Sequence, residues 1–288
     1  MAHKYFFPLL LVLIAWLIGC NKIDNPVIQT VSYAEDDYGP APVFTPNEQP
    51  DQRVLLEDFT GHECGNCPRA HAKAKEILTT DSDRVAVVAI HAGSLAAPYP
   101  PLYPDNFTTP EGTYYLHTQV GADVMPKGRI NRIPEASVVS NYSAWSDQVN
   151  QALQQTPAAN MQLVTNFDAS NGKLIIHVFS NWLENFSGEA RLIVLITENE
   201  IIGSQLNYIV SPTFTDTAYQ HEHVLRGSVT GATGLVAYSN PLMGNSKTNS
   251  YVMNWNPNWI PEHCEVIAFL TNGIDGEVIN VAKSKVIP

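Results

Sequence analysis

An α/β unit followed by an all-β sandwich is the fold class the sequence predicts, and three observations predict it. Over residues 53–157 buried-type apolar runs alternate with helical stretches. Beyond Pro157 strand-like segments succeed one another without a convincing helix, and the turn dipeptides Asn171-Gly172 and Asp275-Gly276 stand between apolar runs, as hairpins require. The chain has 288 residues, 44% hydrophobic and 15% charged, which is a globular composition. Its length suits two ordinary cores.

The N-terminus reads as an address. Lys4 precedes an apolar run from Phe6 to Ile18, interrupted by Pro8, whose length suits a secretory signal and falls short of a membrane span. The following Leu17-Ile18-Gly19-Cys20 resembles the lipobox of bacterial lipoproteins. That resemblance implies a signal peptide over residues 1–19, acylation of Cys20 and work outside the cytoplasm, with an ordinary cleaved signal or a buried free Cys20 as the alternatives. Residues 20–52 would then be the lipidated Cys20 and a flexible tether. Five prolines from Pro26 to Pro50 alternate there with acidic residues, and no period lasts long enough to bury apolar surface.

In the α/β unit, Arg53 to Thr60 is a strand candidate, Gly65 to Leu78 a helix, and Arg84 to His91 a continuous apolar run covered on both faces. Strand, helix, strand makes a βαβ unit with a parallel pair. After a Pro-rich stretch, Thr109-Pro110-Glu111 reads as N-cap, first-turn Pro and first-turn acid of a helix reaching about Gln119. Lys127 to Ile133 and Ala136 to Val139 are strands, and Ser143 to Gln155 a helix stopped by Pro157. Residues 158–288 hold seven strand candidates: Asn160 to Asp168, Lys173 to Ser180, Ala190 to Thr197, His221 to Val229, Ser250 to Trp255, Cys264 to Thr271 and Glu277 to Val286. Seven short strands argue an immunoglobulin-like sandwich able to fold alone. Cys264 shares a period-2 face with Val266, Ala268 and Leu270, which makes it a buried, unpaired core thiol.

The net charge of −12 speaks against broad nucleic-acid binding and against a polybasic membrane patch. No Gly-rich phosphate loop follows a strand, and no Ser with a positioned base stands out, so nucleotide hydrolysis and serine catalysis have no support. Chemistry-bearing residues concentrate in one loop. Cys64-Gly65-Asn66-Cys67 is a C-x-x-C at a strand-to-helix junction, where free N–H groups and the helix dipole favour a thiolate at Cys64. The rival chemistry is metal binding by His62, Cys64, Cys67 and His71, with His91 near, because two thiols and two imidazoles stand at finger-like spacing. Covalent haem is excluded by Pro68, since attachment needs His after the second Cys. No cofactor is called for.

Over residues 53–155 the sequence resembles the thioredoxin-like superfamily: Val54-Leu55-Leu56-Glu57-Asp58-Phe59, four residues, then the C-x-x-C. The resemblance implies Cys64 as attacking thiol, Cys67 as resolving thiol and Asp58 as the buried acid that relays a proton to Cys67. It makes Val124-Met125-Pro126 the cis-Pro segment facing the disulfide, with Met125 and Pro126 binding a substrate strand. Glu63 and Pro68 depart from the usual neighbours of the two cysteines.

Across the whole mature chain, HECGNCPRAH, MPKGRINR and HEHVLR (His221 to Arg226) ahead of a C-terminal β domain are similar to the twenty-eight-kilodalton outer-membrane protein family of Bacteroidota. That implies an outer-membrane lipoprotein, facing periplasm or surface, with a thioredoxin-like domain over residues 53–157 and an immunoglobulin-like one over 158–288. It carries no settled activity.

Outside the loop, His221 and His223 share a face if they lie on one strand; hydrogen bonding is the plainer role for them and a metal pair the sharper one. Trp255 and Trp259 suit packing under a loop better than glycan stacking. Three function classes follow: an envelope thiol-disulfide oxidoreductase acting on protein thiols or disulfides, which is favoured; a non-catalytic adhesion or assembly module with a structural disulfide; and a metal-handling protein.

Overall fold

The computed structural model describes residues 28–47, 50–121, 124–133, 140–210, 212 and 214–287. It is a mixed α/β structure, mostly sheet with few helices. The first part of the chain forms β1 (Thr30–Val31), α1 (Glu35–Tyr38), β2 (Val54–Thr60), α2 (Cys67–Asp81), β3 (Val85–His91), α3 (Pro110–Tyr115), β4 (Lys127–Ile130) and α4 (Trp145–Leu153). Next come β5 (Ala159–Asp168), β6 (Lys173–Trp182), β7 (Glu189–Glu198), β8 (Ile201–Asn207) and β9 (Phe214–His221). The chain finishes with β10 (Val224–Ser228), β11 (Leu235–Ser239), β12 (Ser246–Asn254), β13 (Cys264–Asn272) and β14 (Val278–Lys285).

β2 and β3 pair in parallel from Val54↔Val85 to Thr60↔His91, as the βαβ reading requires, and α2 crosses between them. Every residue of both strands is buried, because both faces of this part of the sheet are covered. The Thr109 hydroxyl accepts from the Gly112 N–H at 2.9 Å, so α3 starts where its cap predicts. α3 ends sooner than expected, at Tyr115, and Leu116–Val120 continue it as a π turn closed by left-handed Gly121. The expected strand at Ala136 to Val139 lies outside the described residues.

The hydrogen bonding crosses the expected boundary at Pro157. One eight-stranded sheet runs β14-β13-β7-β10-β3-β2-β4, with β11 also on β7. β10 joins its two halves, pairing antiparallel with β7 and, at Val224↔Ala89, parallel with β3. A second sheet, β1-β12-β6-β5, packs on the β7 and β13 end of that sheet over a core that includes Met161, Ile176, Trp182, Val194 and Val266. On the same face at the other end, α2 and α4 cover Val54, Leu56, Val85 and Ile130. The opposite face carries one core spanning both halves, in which Leu55, Phe59 and Val88 meet Ile193, Leu195 and Phe269 beneath Tyr115. Cys264 is a free cysteine in the sandwich core, and burial pushes its thiol up. Trp259 is likewise buried there, in T-shaped contact with Trp255.

Within the expected flexible tether over residues 20–52, residues 28–47 are packed on the second sheet. β1 pairs with β12, Phe44 stacks on Phe179 with ring centroids 5.3 Å apart, and Tyr33 meets His177 edge-on. The aromatic side chains bring enough apolar surface to offset the ordering of a Pro-rich segment.

Candidate functional site

β2 delivers the chain into a tight turn ahead of α2. The Cys64 N–H donates to the Gly61 carbonyl and the Cys67 N–H to the Cys64 carbonyl, each at 3.0 Å. Cys64 and Cys67 are joined in a disulfide. α2 begins at Cys67, two residues later than the expected start at Gly65, so Cys64 stands in the turn before the helix, and Asn66 gives no side-chain cap. The Met125-Pro126 peptide bond is cis, and β4 starts at the next residue, paired Phe59↔Lys127 with the end of β2 that leads into this loop. Asp58 is buried on β2, and burial holds its carboxyl well above the usual range. Cys20 lies outside the described residues.

The sequence reading missed what covers this loop. β8 and β9 form a two-stranded hairpin of their own, and β8 lies against the C-x-x-C turn. The Leu206 N–H donates to the His62 carbonyl at 2.8 Å and the Tyr208 N–H to the Gly65 carbonyl at 2.9 Å. The buried Gln205 amide donates to the carbonyls of Gly61, Cys64 and Leu206. The Tyr208 ring lies so close over Gly65 that a β-carbon there would come within 2.6 Å of its ring atoms. Cys64 is therefore 4% exposed and Cys67 fully buried. The stretch Ile201 to Asn207 has no clean period-2 apolar face, and Phe214 to His221 is polar on both faces, so neither segment reads as a strand.

Behind the disulfide lies a pocket of histidines. His62 bonds the Ala97 carbonyl through Nε2 and stacks on Tyr103 from the Pro-rich stretch. His91 and His221 are buried with ring centroids 5.5 Å apart, both within about 5 Å of Phe107, and neither ring nitrogen of His91 has a hydrogen-bond partner. Burial, reinforced by neighbouring imidazoles, holds His91 well below the usual imidazole value. It lowers His221 to about 4, and burial with Lys283 lowers His223 likewise. β9 ends at His221 while His223 sits in the turn with positive φ, so the two do not share a strand face. His71 turns toward β2, with Nε2 2.9 Å from the Thr60 hydroxyl and Nδ1 2.7 Å from that of Tyr219. Among the described residues no three His, Cys, Asp or Glu side chains converge on a point that could hold a metal ion.

The MPKGRINR segment turns out to brace the site. Arg132, with positive φ, grips the buried Glu57 carboxylate through Nε and a terminal nitrogen at 2.5 to 3.1 Å and lies over the rings of Tyr115 and Phe269. Burial works against the Arg132 cation, but Glu57 outweighs it and raises its pKa. The Asn131 side chain accepts from the Leu55 N–H, and its carbonyl accepts from the Val278 N–H. Gly128 leaves room for the Trp145 ring, which a β-carbon would meet at 2.4 Å.

The family model described as Outer membrane protein Omp28 matches residues 114–288. Among solved structures, HBP35 of Porphyromonas gingivalis is similar with a TM-score of 0.61 at 18% identity, over 82% of this chain and 76% of that one. A protein from Agrobacterium tumefaciens gives a TM-score of 0.44 at 14% identity over 82% of this chain and 94% of that one. A domain of the outer membrane lipoprotein Omp28 from Porphyromonas gingivalis gives 0.31 at 20% identity over 46% and 90%. No curated protein matches the chain.

Proposed function

Taking as premise that the chain belongs to the Omp28 family of outer membrane proteins, we propose that it is a lipid-anchored envelope thiol-disulfide oxidoreductase whose disulfide is gated by the β8–β9 hairpin. In this reading residues 53–157 are a thioredoxin-like unit and residues 158–288 an immunoglobulin-like partner that contributes the hairpin. Cys20 carries the lipid; no helix among the described residues is long and apolar enough to cross a membrane.

The observation that carries the reading is the coincidence of three features at one loop: a Cys64–Cys67 disulfide ahead of α2, the cis Met125-Pro126 bond at the neighbouring strand end, and a buried Asp58 carboxyl with one oxygen lacking any partner. A merely structural cross-link needs neither of the last two. Cys64 would be the attacked sulfur, because the hairpin touches its side of the loop and Cys67 lies beneath it. Protein thiols or disulfides would be the substrates, reached when β8 lifts. The closed hairpin favours a second reading, a binding module with a permanent disulfide.

The two are separated by trapping. Cys67→Ser should form a stable mixed disulfide with oxidised glutathione at Cys64, seen by intact mass, while Cys64→Ser leaves Cys67 unmodified. No adduct on either variant in the folded protein would leave only the structural reading.

A further inference from the structure

We propose that His71 and Tyr219 form the proton conduit of this disulfide, linking buried Asp58 to solvent; the proposal rests on the exchange reading above. Asp58 and Thr60 share the face of β2 that α2 covers, and His71 stands one helical turn after Cys67, on the same side of the helix. The Asp58 carboxyl has one oxygen without a partner and the other 3.7 Å from His71 Nε2. That nitrogen is also held 2.9 Å from the Thr60 hydroxyl, which fixes the ring beside the carboxyl. On the far side of the ring, Nδ1 is 2.7 Å from the Tyr219 hydroxyl. Asp58, His71 and Tyr219 line one cavity of about 620 Å³ between α2 and β9, in which Asp58 is 1% exposed and Tyr219 is half-buried, so the Tyr219 end of the chain meets water. The hairpin that closes the disulfide thus also supplies the last link.

A neutral imidazole bonded at both nitrogens can pass a proton by exchanging tautomers. With the Tyr219 hydroxyl donating to Nδ1, Nε2 carries a hydrogen and donates to Thr60; in the other tautomer both bonds reverse. Burial first, then His221 and His223, lower His71 to about 3, so the ring is neutral at rest. Burial, with Asp58, Asp216 and Glu222, raises Tyr219, so its hydroxyl keeps its proton.

A thiolate attacks Cys64 Sγ, a new sulfur–sulfur bond forms, the Cys64–Cys67 bond breaks, and its electron pair stays on Cys67 Sγ. Cys67 takes the proton of the Asp58 carboxyl. The His71 Nε2 proton replaces it across the 3.7 Å to the carboxyl, the Tyr219 proton moves to Nδ1, and water reprotonates Tyr219.

The test is reduction of the Cys64–Cys67 disulfide of the whole protein by dithiothreitol between pH 6 and 9, with the rate referred to thiolate concentration. Tyr219→Phe keeps the ring and should slow reduction at pH 7 about tenfold. His71→Ala should slow it equally, and free imidazole should restore the His71→Ala rate, which a packing defect would not allow. If wild-type protein is reduced and Tyr219→Phe matches it, or imidazole rescues nothing, the conduit is wrong while the exchange site stands. Wild-type protein that resists reduction altogether overturns the exchange reading and the conduit with it.

Discussion

Arg132→Met should destabilise the protein by about 3–5 kcal/mol, because it leaves the Glu57 carboxylate fully buried without its partner. The guanidinium makes three hydrogen bonds to that carboxylate and itself lies over the rings of Tyr115 and Phe269, so Glu57 is shielded from water. Adding Glu57→Gln to Arg132→Met should recover part of the loss, since a neutral amide costs less to bury than an unpaired charge. Urea midpoints of the two variants check this. A midpoint for Arg132→Met within error of wild type would show that the pair does not brace the sheet.

Stability should also fall steeply as the pH drops from about 6.5 toward 4. His71, His91, His221 and His223 are held below their ordinary value of 6.5 by burial, so the folded state keeps them neutral where the unfolded chain protonates them. Unfolding in that window takes up protons, and each adds about 1.4 kcal/mol of lost stability per pH unit. Asp58 runs the other way. Its raised pKa keeps it protonated in the folded state above 3.8, where the unfolded carboxyl is ionised, so its stabilisation is lost as pH rises and offsets one of the four histidines; Glu111, also raised by burial, is matched by His177, also lowered by burial. The net uptake should be about three protons, read from unfolding free energies measured at closely spaced pH. His221→Phe should reduce that slope by about one, and a stability that is flat from pH 7 to 5 would contradict the histidine pocket.

Much of the centre of this fold is legible in the sequence, because its signals are local. The runs Val54 to Thr60 and Val85 to His91 are too continuously apolar for anything but a doubly covered sheet, and the C-x-x-C falls between the first of them and an Ala-rich helix. Thr109 announces α3, and the alternation after Cys264 announces both β13 and its buried thiol. What escapes the sequence depends on contacts distant along the chain. A single parallel bridge, Val224↔Ala89, merges two expected domains into one sheet. The hairpin of β8 and β9 is amphipathic in neither strand, because one side meets the buried histidines and the other carries exposed apolar residues such as Ile202 and Phe214. Gln205, Tyr208 and Tyr219 therefore enter the site unannounced. In the Pro-rich stretch, likewise, Tyr103 and Phe107 carry no sign that they wall the histidine pocket.

The central claim is that the Cys64–Cys67 disulfide exchanges by local opening of the hairpin, and the rate of its reduction by dithiothreitol as a function of urea tests this most directly. Local opening exposes little surface, so below the unfolding transition the rate should be nearly independent of urea. It should also rise in Gly65→Ala, where the added carbon displaces the Tyr208 ring. A rate that follows global unfolding at every urea concentration would make the disulfide a structural cross-link, and one equal to that of an exposed disulfide in the absence of urea would show that the hairpin does not gate it.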